Sequence, residues 1–231
     1  MKIEKLDWDS DFFGLRIGRV EIHNREESAF IASQESQIRK DYDLLYVFAN
    51  HGQTFSAPKA RMMDEKVVYS LSTFSNTIID KNIILWSENR GVSYDLFHLA
   101  LVSGEYSRFK LDNRLPNGSY ERLYSQWIEQ SVNHAIASEV FCYMIEGVPK
   151  GLVTLNHKNG IGDIGLVAVH EDYQHRGIGT SMMRNAIRYS KEKRLQKLSV
   201  VTQHANTPAC NLYEKSGFSV ESVIDVWHWW L

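Results

Sequence analysis

The chain has 231 residues, 43% of them hydrophobic, with 26 Lys and Arg against 28 Asp and Glu and a formal net charge of −2. That is core material for one or two domains, and it leaves no basic footprint for a nucleic-acid face. Two cysteines, Cys142 and Cys210, sit in separate apolar runs, which excludes a disulfide framework and a Cys-rich zinc site and fits a reducing, cytoplasmic setting.

No stretch approaches about 18 uncharged apolar residues, and MKIEKLDWDSDFF has no apolar signal core, so neither a membrane span nor a leader is expected. Residues 15–22 alternate apolar and polar positions and predict a short strand. Residues 27–41 predict an amphipathic helix, and 44–48 and 67–71 two further strands, with a Gly, Ser, Thr and Pro-rich loop at 50–58 between them. Polar clusters and Gly91 surround a short apolar island at 83–86, so a hinge is expected over 80–93. It divides an amino-terminal α/β region, 1–85, from a larger region, 92–231.

From Tyr94 onward the pattern sharpens. Helices are expected over 94–109 and 119–136, the second with Tyr120, Leu123, Tyr124, Trp127, Ile128 and Val132 on one stripe. Strands at 140–146 and 151–157 fit a hairpin around residues 147–149. The segment 163–169, DIGLVAV, is continuously apolar and expected to be buried on both faces. A helix over 178–193, a strand at 198–202, a helix over 207–216 and a last strand from 218 to 230 complete an α/β chain with one mixed sheet and helices on its faces.

Chemistry concentrates in Gln174-His175-Arg176-Gly177-Ile178-Gly179-Thr180, between a buried strand and a helix. Glycines let the backbone turn tightly, the first-turn N–H groups point outward, and the helix dipole favours an anion there, as in a pyrophosphate cradle. The same residues also suit plain turn chemistry, and neither GxxxxGK[ST] nor GxGxxG is present. Some 27 residues past Gly179 comes Asn206-Thr-Pro-Ala-Cys-Asn-Leu212-Tyr213-Glu-Lys-Ser216-Gly217-Phe218. Cys210 has no evident partner base and reads as core.

The two segments, in this order on these elements, resemble the GCN5-related N-acetyltransferase (GNAT) superfamily over roughly residues 140–225. The resemblance implies a GNAT fold with a small amino-terminal α/β extension or a degenerate GNAT-like half, and acetyl-CoA as co-substrate between two splayed strands. Leu166, Val167, Ala168 and Val169 would pair with the pantetheine arm. His175, Arg176, Gly177, Ile178, Gly179 and Thr180 would hold the pyrophosphate, and Asn206 the pantetheine side. Tyr213 would protonate the departing thiolate, a step suited to a phenol.

A closer resemblance is carried by Trp8, Asp11-Phe12-Phe13-Gly14, Tyr106-Ser107-Arg108-Phe109 and Tyr124-Ser125-Gln126-Trp127-Ile128-Glu129. These are similar to the bacterial TDP-fucosamine acetyltransferases, which implies transfer to the 4-amino group of a TDP-linked 4-amino-6-deoxy sugar for surface polysaccharide. Ser107, Arg108, Phe109 and Tyr124 are then the acceptor candidates: Arg108 as a bidentate donor to phosphate, Phe109 or Tyr124 as a stacking surface. The structural alternative is a surface arginine and two core aromatics. Another acceptor (a peptide, polyamine or other small amine) and a non-catalytic CoA-binding module remain open, as does a homodimer; nucleic-acid and membrane partners are not expected. Relatives that acetylate protein amino termini carry a Glu where this chain has Val201, so His157, Asp163 and His204 are the alternatives for a base. The nine histidines show no H-x-x-H spacing, and no metal is expected.

Overall fold

The computed structural model describes residues 2–74, 80–86 and 90–231. Among them, ten strands form one mixed sheet in the order β1-β2-β3-β10-β4-β9-β8-β7-β6-β5, confirming the α/β class. The strands are β1 (Glu4–Lys5), β2 (Ile17–Ile22), β3 (Leu44–Asn50), β4 (Ala60–Leu71), β5 (Ile83–Leu85), β6 (Glu139–Ile145), β7 (Val148–Lys158), β8 (Ile161–Val169), β9 (Lys197–Gln203) and β10 (Ser219–Trp230). The last strand pairs antiparallel with both β3 and β4, so the carboxyl-terminal residues lie inside the sheet, between strands from the first third of the chain. The apolar island at 83–86 supplies β5, an edge strand paired with β6. Residues 87–89, in the segment expected to be a hinge, lie outside the described residues.

Helices cover both faces. One core joins α4 (Tyr94–Ser103) and α6 (Ser119–Val132) to the sheet through Leu96, Leu99, Leu123 and Ile128. A second, on the opposite face, packs α7 (Ile178–Glu192) and α8 (Thr207–Lys215) through Met182, Met183, Ala186 and Tyr213. A third lies around Val20, Ile31, Val47 and Trp229. Two expected helices are interrupted. The helix over 27–41 is α2 (Arg25–Ser33) and α3 (Glu35–Ile38), separated at Gln34. The helix over 94–109 stops at Ser103, with Gly104 as its C-cap; a side chain has no room at that position, since a Cβ there would overlap the Tyr124 ring of α6. The chain resumes as the short α5 (Arg108–Leu111).

The expectation for 163–169 holds only in its second half: Asp163 and Gly165 are exposed, whereas from Leu166 on both faces are covered, with Leu166 and Ala168 in one core and Val167 and Val169 packed half-buried on the other. The cause is local. A bulge sets Gly165 and Leu166 against Thr154 of β7, and the Leu166 N–H donates to Thr154 Oγ1 at 2.8 Å. The bulge switches faces, so Ile164 packs under α7 while Leu166 and Ala168 pack under α4 and α6. Only Ile161–Ile164 pair with β9, in parallel, ending at Val200. Beyond that point β8 and β9 separate.

Thr154→Val keeps the shape and removes the acceptor of the Leu166 amide. It should lower unfolding free energy by about 1–3 kcal/mol, the cost of a buried unpaired donor. Urea denaturation measures it, and unchanged stability would show that the amide is satisfied without the hydroxyl.

Candidate active site

Where β8 and β9 part, the surface opens into a cleft of about 1520 Å³. Leu166, Val167, Ala168 and Val169 form one wall, with Thr202, Gln203, Asn206 and Tyr213 opposite. His175, Gly177, Ile178, Gly179 and Thr180 close one end, and Ser107, Arg108, Phe109 and Tyr124 the other. The fold therefore brings nearly every expected site residue to one cleft. Arg176 is not among its lining residues: its guanidinium donates to the Asp172 carbonyl at 2.7 Å and lies over the Tyr173 ring.

The glycine loop works by two different means. Gly177 is the N-cap of α7 with φ 81°, a left-handed conformation that glycine adopts freely. Gly179 is set by packing, since a Cβ there would lie 3.2 Å from the Leu212 side chain on α8. No side chain caps α7, so the first-turn amides of Ile178, Gly179 and Thr180 are left for a ligand or water at the positive end of a 15-residue helix. A diphosphate fits that donor set.

Across the cleft, Asn206 caps α8, its Oδ1 accepting the Ala209 N–H at 3.2 Å. Tyr213 follows on the same helix, 3% exposed, its ring 5.6 Å from Tyr69 and 6.1 Å from Phe218. Burial raises its phenol above the ordinary tyrosine range, so it stays protonated at neutral pH and available as a donor.

Arg108 is fixed by buried partners. Its guanidinium lies 4.0 Å from the Tyr46 ring centroid and 4.4 Å from that of Phe109, and it donates to His228 Nε2 at 3.3 Å. His228 Nδ1 donates in turn to Asp112 Oδ2 at 2.6 Å, and the same carboxylate accepts from Trp230 Nε1 at 2.9 Å and Arg114 Nε at 2.8 Å. His228 is fully buried, and desolvation pushes it down to about 4. It is therefore neutral, with its proton on Nδ1 and a lone pair facing Arg108. Asp112, held by three donors, lies well below the usual carboxylate range. The expected aromatics belong partly to the core: Phe109 stacks on Phe13 at 5.8 Å, and Tyr124, 6% exposed, meets Trp127 edge-on at 4.9 Å.

Of the three alternatives for a base, only Asp163 lines the cleft. His157 faces Tyr189 at 6.0 Å, and His204 contacts Glu65 Oε2 at 3.1 Å. Two groups gather ligand-type atoms, His98 with His170 and Glu171, and His51 with Glu65 and Asp225. In each, a ring nitrogen lies 2.9 Å from a carboxylate oxygen, a hydrogen-bond distance. Sequence reading missed Asp64, which also lines the cleft; β4 starts seven residues earlier than the apolar run at 67–71 suggests. It also missed Asp112 and His228, whose positions read only as turn and strand.

Residues 105–218 match the acetyltransferase (GNAT) family model. The chain carries a GNAT acetyltransferase domain. It is 26% identical over 224 residues to a dTDP-fucosamine acetyltransferase from Escherichia coli O6:H1, covering 95% of this chain and 94% of that protein. It is 33% identical over 84 residues to streptothricin acetyltransferase A from Bacillus subtilis, covering 36% of this chain and 49% of that protein. The fold is shared with a GCN5-related N-acetyltransferase from Sphaerobacter thermophilus, with a TM-score of 0.61 and 14% identity over 93% of this chain and 73% of that one. The family uses acetyl-CoA, as the resemblance implied, and no helix among the described residues is long and apolar enough to cross a membrane.

The buried imidazole has a consequence for stability. Between its folded value of about 4 and the ordinary 6.5, the unfolded chain binds the His228 proton and the folded one does not, so stability is lost as pH falls through that window. Asp112 adds a further loss at lower pH, where its native partners must release it. Thermal melts should show the melting temperature dropping by several degrees from pH 7 to pH 4, with a shallower slope in His228→Asn. A flat wild-type profile would contradict a neutral buried imidazole.

Proposed function

We propose that the protein moves acetyl from acetyl-CoA directly to the 4-amino group of a TDP-linked 4-amino-4,6-dideoxy sugar, in the cytoplasm, for surface-polysaccharide synthesis. The observation that carries this reading is the acceptor end of the cleft. There a rigidly held cation, Arg108, stands among Phe109, Tyr124 and Trp127, facing the same cleft as Tyr213. A phosphate for the guanidinium and a flat base or sugar face for the rings are what a nucleotide sugar offers. The likeness to a dTDP-fucosamine acetyltransferase, which runs through the amino-terminal region as well as the family domain, supports it. The streptothricin relative matches only 36% of the chain, so it weighs less in the choice of acceptor.

In this reading the α7 amides and Gly177 receive the pyrophosphate, the open edge of β8 from Leu166 to Val169 pairs with the pantetheine arm, and Asn206 steadies its far side. The amine attacks the thioester carbonyl, and a β8 backbone N–H stabilises the oxygen as charge develops on it. Tyr213 gives its proton to the departing thiolate. A CoA-binding module without turnover would need Tyr213 only for its packing against Tyr69 and Phe218, which a phenylalanine supplies equally.

Steady-state kinetics with TDP-4-amino-4,6-dideoxygalactose test both halves. Tyr213→Phe should lower kcat on the order of 10²–10⁴-fold with little change in KM for acetyl-CoA. Arg108→Ala should raise KM for the sugar roughly 10- to 150-fold and leave acetyl-CoA unaffected. Wild-type turnover of other amines but not of the nucleotide sugar would overturn the acceptor; a Tyr213→Phe kcat within about threefold of wild type would remove Tyr213 from the mechanism.

A further inference from the structure

We propose that Asp64 is the proton acceptor for the attacking amine: its carboxylate takes a proton from the acceptor's ammonium group and frees the nitrogen lone pair. The inference rests on acetyl transfer to an amine and not on which sugar carries that amine.

The sheet register places the carboxylate. The last paired residues of β4 and β9 are Lys66 and Gln203. Asp64 lies two residues farther along β4, beyond the end of β9, on the same face as Lys66. Gln203 and Val201 share that face on the neighbouring strand, and both line the cleft with Asp64. Val201 is 40% exposed and apolar, so the β9 position that carries a Glu in relatives acetylating protein amino termini offers no base here. The adjacent strand offers one instead.

The surroundings of Asp64 suit a group that receives a proton. Arg108 of α5, Tyr124 of α6, Gln203 of β9, and Lys66 and Glu65 of its own strand all act on its side chain. Arg108 is already engaged by His228 and two aromatic faces. Asp64 Oδ1 is enclosed and has no hydrogen-bond partner, which is rare for a buried carboxylate oxygen and favours its taking up a proton. Desolvation raises the group to about 7 despite the two cations, the range in which a base works best near neutral pH.

The step balances without a further reactant. The ammonium gives one proton to Asp64, the nitrogen lone pair forms the N–C bond to the thioester carbonyl carbon, and the C–S bond breaks. The thiolate takes the Tyr213 proton, and the second N–H proton, lost as the amide forms, returns the phenol to its starting state through solvent. Asp64 then releases its proton to water, for a net release of one proton per turnover.

The test is the pH dependence of kcat/KM for the acceptor in wild type, Asp64→Asn and Asp163→Asn, from pH 6 to 9.5, with acetyl-CoA affinity measured by calorimetry on each. Asp64→Asn should lose about 10²-fold at pH 7, bind acetyl-CoA normally, and recover towards wild type at high pH, where solvent deprotonates the amine. Asp64→Glu should restore part of the activity, and Asp163→Asn should keep the wild-type profile. A deficit equal at every pH, a loss under about threefold, or a wild-type profile altered by Asp163→Asn alone would overturn the proposal. If the nucleotide sugar is not turned over, the comparison is made on whichever amine is, which separates failure of this inference from failure of the acceptor assignment. If no amine is turned over, the carboxyl carbon resonance lost in Asp64→Asn decides: titration in wild type near 7 supports the assignment, and titration below about 5 refutes it.

Discussion

A parallel strand pair that hydrogen-bonds for four residues and then separates leaves two rows of backbone groups with no partner in the sheet. In this protein the separation follows Ile164 and Val200, and it begins where the Gly165–Leu166 bulge turns β8 over against Thr154. Buried backbone donors and acceptors must be paired, so such an opening persists only where water or a ligand can reach it. The cleft, the free edge of β8 and the exposure of Val201 all follow from this one break. The first turn of α7 and Tyr213 line it because their elements pack on the strands that part.

The acceptor end depends on a second constraint. Strand β10 lies between β3 and β4, which carries His228 and Trp230 to Asp112 and lets the buried carboxylate and imidazole hold Arg108 over Tyr46. An arginine on a four-residue helix has little to fix it locally. Here its direction is set by His228, 120 positions away in sequence, and by the Tyr46 ring, both sheltered from water. The donor half of the cleft is thus built from local sequence, and the acceptor half from the ends of the chain brought together.

That difference decides how much can be read from sequence. The Gln174–Thr180 turn and the Asn206–Tyr213 helix are contiguous segments whose residue types state their geometry, and the structure brings them to one cleft together with Ser107, Arg108, Phe109 and Tyr124. The two-faced burial expected of β8 begins only at Leu166, because a bulge of one residue leaves no mark in an apolar run. Helix 94–109 ends at Gly104, where the close approach of the Tyr124 ring, which only the fold reveals, leaves no room for a Cβ. Asp64, Asp112 and His228 escaped notice because their meaning lies in register and burial: Asp64 precedes the apolar part of β4, and His228 sits in an aromatic run that reads simply as strand.

In the proposed reading, the open edge of β8 and the first turn of α7 together receive acetyl-CoA. Amide hydrogen exchange with and without acetyl-CoA measures this directly, since the β8 amides on the side that has parted from β9 and the first-turn amides of α7 lack a partner there. The account predicts slowed exchange at residues 165–169 and 177–180, with β2 and β3 unchanged. Protection spread evenly over the sheet, or absent from both segments while acetyl-CoA is bound, would contradict it.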